Sequence, residues 1–246
     1  MPLLKRSGLS LRGSFDNPTL ISFEESSISR GVLLDRPNRF LGIAMVGGRR
    51  VRIHIHDPGR MPLLRSRTEI VLLNKDKLGR KTKYDLLAFK DRDEWIFAHS
   101  GYHSEIFRRM VSLGLFPISG SLRGEVPLGS SRIDFMAGSM IIEVKGCTWI
   151  VDDTGLFPDS PTKRGRKQII DMSVYAKYCG EACVVFLVFS RRAKRMMIAE
   201  DVDPKFGEAV RFACRCGVRF LAYRLFFDGI AVRYVGQIPV VMTTSV

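Results

Sequence analysis

The chain has 246 residues, 46% of them hydrophobic, and a formal net charge of +14. That length allows one large domain or two small ones around a real core. The charge favours a polyanionic partner, nucleic acid above all, through counterion release. No apolar run approaches the roughly 18 residues of a membrane span, so the reading excludes the membrane as a partner.

The opening stretch MPLLKRSGLSLRGSF lacks the apolar centre of a secretory signal. Residues 1–19 are therefore expected to form a mobile leader on a cytoplasmic protein. Residues 20–98 read as β: SRGVLLD, RFLGIAMV, RVRIHIH, EIVLLN, KYDLLAFK and EWIFAHS are short apolar or alternating runs. Gly, Pro, Asn and Asp separate them, as strand punctuation should. Gly47 and Gly48 mark a hairpin turn. So many short strands in about 80 residues predict a small barrel of the OB type. On RRVRIHIH, Val51, Ile53 and Ile55 share one face, while Arg50, Arg52, His54 and His56 share the other. Arg50 and Arg52 are candidate contacts for a nucleic-acid backbone. The following DPGRMPLL is read as an irregular segment shaped against the second domain.

Residues 99–246 follow a different pattern. SEIFRRMVSLG predicts a helix with Ser104 as its cap, Gly114 past its end and Ile106, Met110 and Leu113 as its apolar stripe. Strands follow at SLRGEVPL, SRIDFM and SMIIEVKGCTW. KRGRKQIIDMSVYAKYCG predicts a helix, EACVVFLVFS a strand buried on both faces, and DPKFGEAVRFACRCG a helix capped by Asp203 with Pro204 next. VRFLAYRLFF and GIAVRYV close the chain as strands. Helices interleaved with strands predict an α/β domain. The five cysteines have no framework spacing and are expected to be reduced; the lone Cys214-x-Cys216 pair is not read as a zinc site.

Asp134, Glu143 and Lys145 interrupt apolar strands. A charge there is costly unless paired, hydrated or bound to a metal. A short turn over Ala137 to Ser139 would make the two strands a hairpin, and paired strands lie roughly 5 Å apart. Glu143 and Lys145 then share a face, with Ile142 and Val144 on the other. Two carboxylates with open water positions suit Mg²⁺ or Mn²⁺, and a lysine beside them can orient a nucleophile or stabilise developing charge. This pattern predicts phosphodiester hydrolysis. Lys163, Arg164, Arg166 and Lys167 crowd the start of a helix. The dipole there already disfavours cations, so the cluster suits a bound phosphate.

From Ser29 to Val240 the sequence resembles the sugar fermentation stimulation protein A family of bacteria and archaea. The resemblance lies in NRFLGIAMV, HDPGRM, GLFP, GEVPLGSSRIDF, IIEVKGCTW, FPDSPTKRGRKQI, VVFLVFS, GVRFLAY and the terminal IPV, in order. It implies an N-terminal OB-like β-barrel followed by a PD-(D/E)XK nuclease-like α/β domain. It also implies Asp134 and Glu143 as metal ligands, Lys145 as the catalytic lysine, and Glu125 as a further ligand or supporting carboxylate. Arg164, Gly165 and Lys167 match the family's R-G-x-K element. The family name implies a part in regulating maltose-related genes, with DNA as partner. The sequence departs from the family pattern at His103 and Ser104, where a Pro-Asn pair is usual, at Lys163, where an acidic residue is usual, and at Asp57 to Gly59, where NTG is usual. Two readings follow: a metal-dependent nuclease acting on DNA, with RNA as the alternative substrate, or a non-catalytic DNA-binding regulator that keeps the metal site as a relic.

Overall fold

The computed structural model describes residues 17–75 and 82–242. All but the last three residues of the expected leader, 1–19, lie outside them. The first described strand, β1 (Thr19–Ser22), does not join the barrel.

The barrel is built from β2 (Ile28–Asn38), β3 (Leu41–Val46), β4 (Arg49–His54), β5 (Glu69–Asn74) and β6 (Tyr84–Asp91). They pair in the order β4-β3-β2-β5-β6, and a parallel pairing of β4 with β6, Ile53 to Tyr84 and His54 to Asp85, closes the ring. This is the five-stranded OB arrangement expected from strand density. Gly47 (φ +53) and Gly48 (φ +74) turn β3 into β4, with both residues in the left-handed region that glycine accepts without strain. On β4, Ile53 is fully buried while Arg50 and Arg52 are exposed, so the alternation holds.

β7 (Glu94–Phe97) pairs with β6 and, through Trp95 opposite Phe227, touches the sheet of the second part. That sheet comprises β8 (Leu122–Leu128), β9 (Ser131–Ala137), β10 (Met140–Cys147), β13 (Glu181–Phe189), β15 (Arg219–Phe227) and β16 (Ala231–Ile238). β10, β13 and β15 run parallel. Helix α2 (Lys163–Tyr178) crosses from β10 to β13, and α3 (Pro204–Arg215) from β13 to β15. Val184 to Phe189 are fully buried, as a central parallel strand requires. β1 adds to β16, so the segment just before β2 lends a strand to the sheet of the second part. Phe97 packs on Phe189 at 5.3 Å and Phe227 at 5.6 Å, an aromatic seam joining the two parts.

Three further points differ from expectation. A small second sheet of β11 (Trp149–Val151), β12 (Thr154–Phe157), β14 (Arg195–Ile198) and β17 (Val240–Val241) was not foreseen. Its strands have two to four residues, too few to show a period. Helix α1 (His103–Ser112) is not capped by Ser104; a 3₁₀ turn over Ser100–Tyr102 feeds it directly, placing Ser104 inside the first turn. Its buried stripe is Ile106, Phe107 and Met110, while Leu113 is 39% exposed. Asp203 caps α3 through the Phe206 N–H as expected, and Thr162 caps α2 through the Gly165 N–H.

Candidate metal centre and nucleic-acid cleft

β9 and β10 form a hairpin with Gly138 and Ser139 at its tip, pairing Ala137 with Met140 and Phe135 with Ile142. The next position along this register sets Asp134 against Glu143. Asp134 Oδ2 accepts the Val144 N–H at 2.8 Å, and Glu143 Oε2 accepts the Asp134 N–H at 3.3 Å. Each carboxylate is thus tied to the other's strand. Lys145 Nζ contacts Glu143 Oε1 and donates to Gln168 Oε1 at 2.9 Å. The three sequence-predicted residues therefore converge on one face, while Ile142 and Val144 pack into the core behind them.

Burial pushes the Asp134 carboxyl above its ordinary range, although the Val144 N–H, Lys145 and Arg164 pull it back. Glu143, 3% exposed, is pushed up by burial and by Asp134, against the pull of Lys145. Two like charges drawn together in a partly dry site are relieved by a cation between them. Among the described residues no hydrogen bond reaches Asp134 Oδ1, which leaves an oxygen for it. This oxygen-donor set fits a hard divalent ion such as Mg²⁺ or Mn²⁺. Glu125 stands at the rim: it is exposed, faces Arg132 at 3.7 Å, and is close enough to Asp134 to raise its pKa.

The cations at the start of α2 divide into two groups. Arg166 faces the Asp203 carboxylate at 3.7 Å, and Lys167 lies 3.3 Å from Asp171 and also bonds Ser131. Part of the cluster is therefore paired within the chain. Lys163 and Arg164 are exposed and have no ion pair among the described residues. Arg164 lines three adjoining cavities, one with Lys145, one with Lys167 and one with Asp134. Arg50 and Arg52 are exposed on β4 and line none of these cavities.

Sequence reading missed Gln168, 3% exposed, which holds Lys145 and donates to Arg132 O at 3.1 Å. It also gave no role to Asp57 or His103, which line a cavity of about 310 Å³ with Lys145 and Arg164. The DPGRM segment brings Asp57 there. Gly59 lies so close to Asp159 that a Cβ would stand 2.4 Å from its Oδ2, and the same oxygen accepts the Met61 N–H at 2.8 Å. That contact docks the barrel on the second part, as the segment's irregular composition led us to expect. His103 Nε2 is shut from solvent with no hydrogen-bond partner among the described residues, and burial lowers the ring's pKa to about 3. A separate cluster, His56, Asp85 and His99, gathers at the barrel seam with its ligand atoms within 4.8 Å of one another.

The two parts of the chain match two family models: the SfsA N-terminal OB domain over residues 34–98, and the sugar fermentation stimulation protein RE domain over residues 101–229. The chain belongs to the sugar fermentation stimulation protein family. A sugar fermentation stimulation protein homolog of Thermotoga petrophila is 37% identical over 202 residues, 82% of this chain and 90% of that one. The homolog of Methanothermobacter thermautotrophicus is 34% identical over 229 residues, 85% and 95% of the two chains. The solved structure of Pyrococcus furiosus SfsA in complex with Ca²⁺ superposes with a TM-score of 0.82, covering 91% of this chain and 99% of that one at 23% identity. That likeness shows the family's fold. No described helix is long and apolar enough to cross a membrane.

Proposed function

We propose that this family member binds nucleic acid in the cleft between barrel and α/β domain and hydrolyses its phosphodiester bonds with a divalent cation. The observation that carries the reading is the convergence of Asp134, Glu143 and Lys145 on one edge of the β9–β10 hairpin. Asp134 and Glu143 would hold Mg²⁺ or Mn²⁺, with Glu125 at the rim as a further carboxylate. A cation bound there polarises a phosphoryl oxygen and lowers the pKa of water. Lys145, steadied by Gln168, places a positive charge where negative charge develops. Arg164 and Lys163 hold backbone phosphates, with Lys167 beside them. Arg166 braces the helix start against Asp203. Arg50 and Arg52 extend the basic surface along the barrel. The Ca²⁺ in the Pyrococcus protein supports an oxygen-ligand cation in this family, because Ca²⁺, Mg²⁺ and Mn²⁺ favour the same donors.

The test is incubation of the full chain with single- and double-stranded DNA and RNA, with Mg²⁺ or Mn²⁺, beside Asp134→Ala. Cleavage by the wild type alone supports the reading and identifies the polymer. Binding without cleavage by either form favours the regulator, in which the hydrogen bonds already on Asp134 and Glu143 serve the fold alone.

A further inference from the structure

We propose that His56, Asp85 and His99 form a second cation site, selective for a borderline transition-metal ion of the Zn²⁺ type, that pins the closing seam of the barrel to the connector into the second domain. The site is independent of the Asp134–Glu143 reading, since it shares no residue with it.

The three residues come from separate places in the sequence. His56 lies just past β4, Asp85 near the start of β6, and His99 just past β7, where the chain enters the turn into α1. The β4–β6 pairing that closes the barrel brings the first two together. Asp85 Oδ2 stands 3.1 Å from His56 Nε2 and 3.8 Å from His99 Nε2. Donor atoms on a tetrahedral Zn²⁺ with bonds of roughly 2.0–2.1 Å are about 3.3 Å apart, so a small adjustment brings the three into range.

The imidazoles supply the second observation. His99 is 5% exposed, and both of its ring nitrogens are shut from solvent. His56 Nε2 is also shut from solvent and faces the same carboxylate. Two buried imidazole nitrogens aimed at one carboxylate describe a ligand set. The rings stack at 3.8 Å between centroids and 24° between planes, and the ligand atoms of the three residues lie within 4.8 Å of one another. Two nitrogens and one carboxylate oxygen suit Zn²⁺, Co²⁺ or Ni²⁺ better than Mg²⁺ or Ca²⁺, which favour oxygen alone. Three protein ligands leave a fourth position for water. The Ser100 hydroxyl donates to His56 O at 2.8 Å, so the connector is already stitched to the loop after β4. An ion would fasten the same junction.

The experiment uses the untagged full chain, stripped with a chelator and titrated with Zn²⁺, and with Co²⁺ as a visible-absorbing substitute. The expected result is about one equivalent bound with micromolar or tighter affinity, a Co²⁺ absorption band, and a melting temperature that rises with Zn²⁺. His99→Ala should weaken binding at least tenfold and abolish the melting shift, and Asp134→Ala should preserve both. Should His99→Ala fail to fold, His56→Gln, at a residue whose side chain is 29% exposed, gives the same comparison. The proposal is overturned by a wild type that takes up no Zn²⁺ at micromolar concentration, or by uptake that survives the histidine variants. It is equally overturned by uptake that disappears with Asp134→Ala.

Discussion

Gln168 on α2 accepts a hydrogen bond from Lys145 on β10 at 2.9 Å, so helix and strand share one fixed ammonium. The other end of the amide is held by Arg132 O at 3.1 Å, which leaves the Gln168 side chain little freedom. Removing such a support shifts a catalytic group without removing it. Gln168→Ala is expected to lower the cleavage rate by roughly 10–100-fold while changing nucleic-acid affinity only a few-fold. Single-turnover rates beside filter-binding affinities check this.

Two neighbouring arginines should behave differently. Arg164 is exposed in the cleft with no ion pair among the described residues, whereas Arg166 faces Asp203, 3% exposed and itself the cap of α3. Arg164→Ala is expected to weaken nucleic-acid binding and reduce the salt slope by about one counterion, with the melting temperature unchanged. Arg166→Ala is expected to lower stability by roughly 1–3 kcal/mol, with a smaller effect on the salt slope. Affinity measured across a salt series, with thermal melts, separates the two.

The hairpin was legible in the sequence because its information is local. Ala137 to Ser139 read as a turn, and a period of two put Glu143 and Lys145 on one face. The barrel was legible from strand density, and its Gly47–Gly48 turn from a dipeptide. Gln168 was not legible, because one polar residue on a helix looks like solvated surface until α2 is placed against β10. Asp85 and His99 look like ordinary strand-end residues until barrel closure brings β4 beside β6. The pairing of Arg166 with Asp203 spans two helices and leaves no local trace. Short strands such as β11 and β17 have too few residues to show alternation.

His103 carries a pH dependence. Its pKa is about 3 in the folded chain, because burial disfavours the imidazolium. In the unfolded chain it takes a proton near its ordinary value of 6.5. Protons therefore favour the unfolded state below that value, and the stability His103 contributes is lost as pH falls from about 6.5 toward 3. Relative to His103→Gln, the wild type should lose about 1–3 kcal/mol between pH 7 and pH 4. Urea melts of both proteins across that range measure the difference.

Gly59 is a close approach between the two parts of the chain. A methyl group there would collide with Asp159, whose Oδ2 is already engaged by the Met61 N–H. Gly59→Ala is expected to destabilise by roughly 1–3 kcal/mol. Asp159→Ala made in the same chain should recover part of the loss, so that the two changes are not additive. Thermal melts of the two single variants and the double variant test this.

The central claim is that Lys145 and the carboxylate pair perform metal-dependent phosphodiester hydrolysis. Its most direct test is the single-turnover cleavage rate in Mn²⁺ for the wild type and Lys145→Ala, with nucleic-acid affinity measured on the same samples. The rate for Lys145→Ala is expected to fall about 100-fold or more with affinity kept within a few-fold. Equal cleavage by the two proteins, or no cleavage by either despite tight binding, would contradict it.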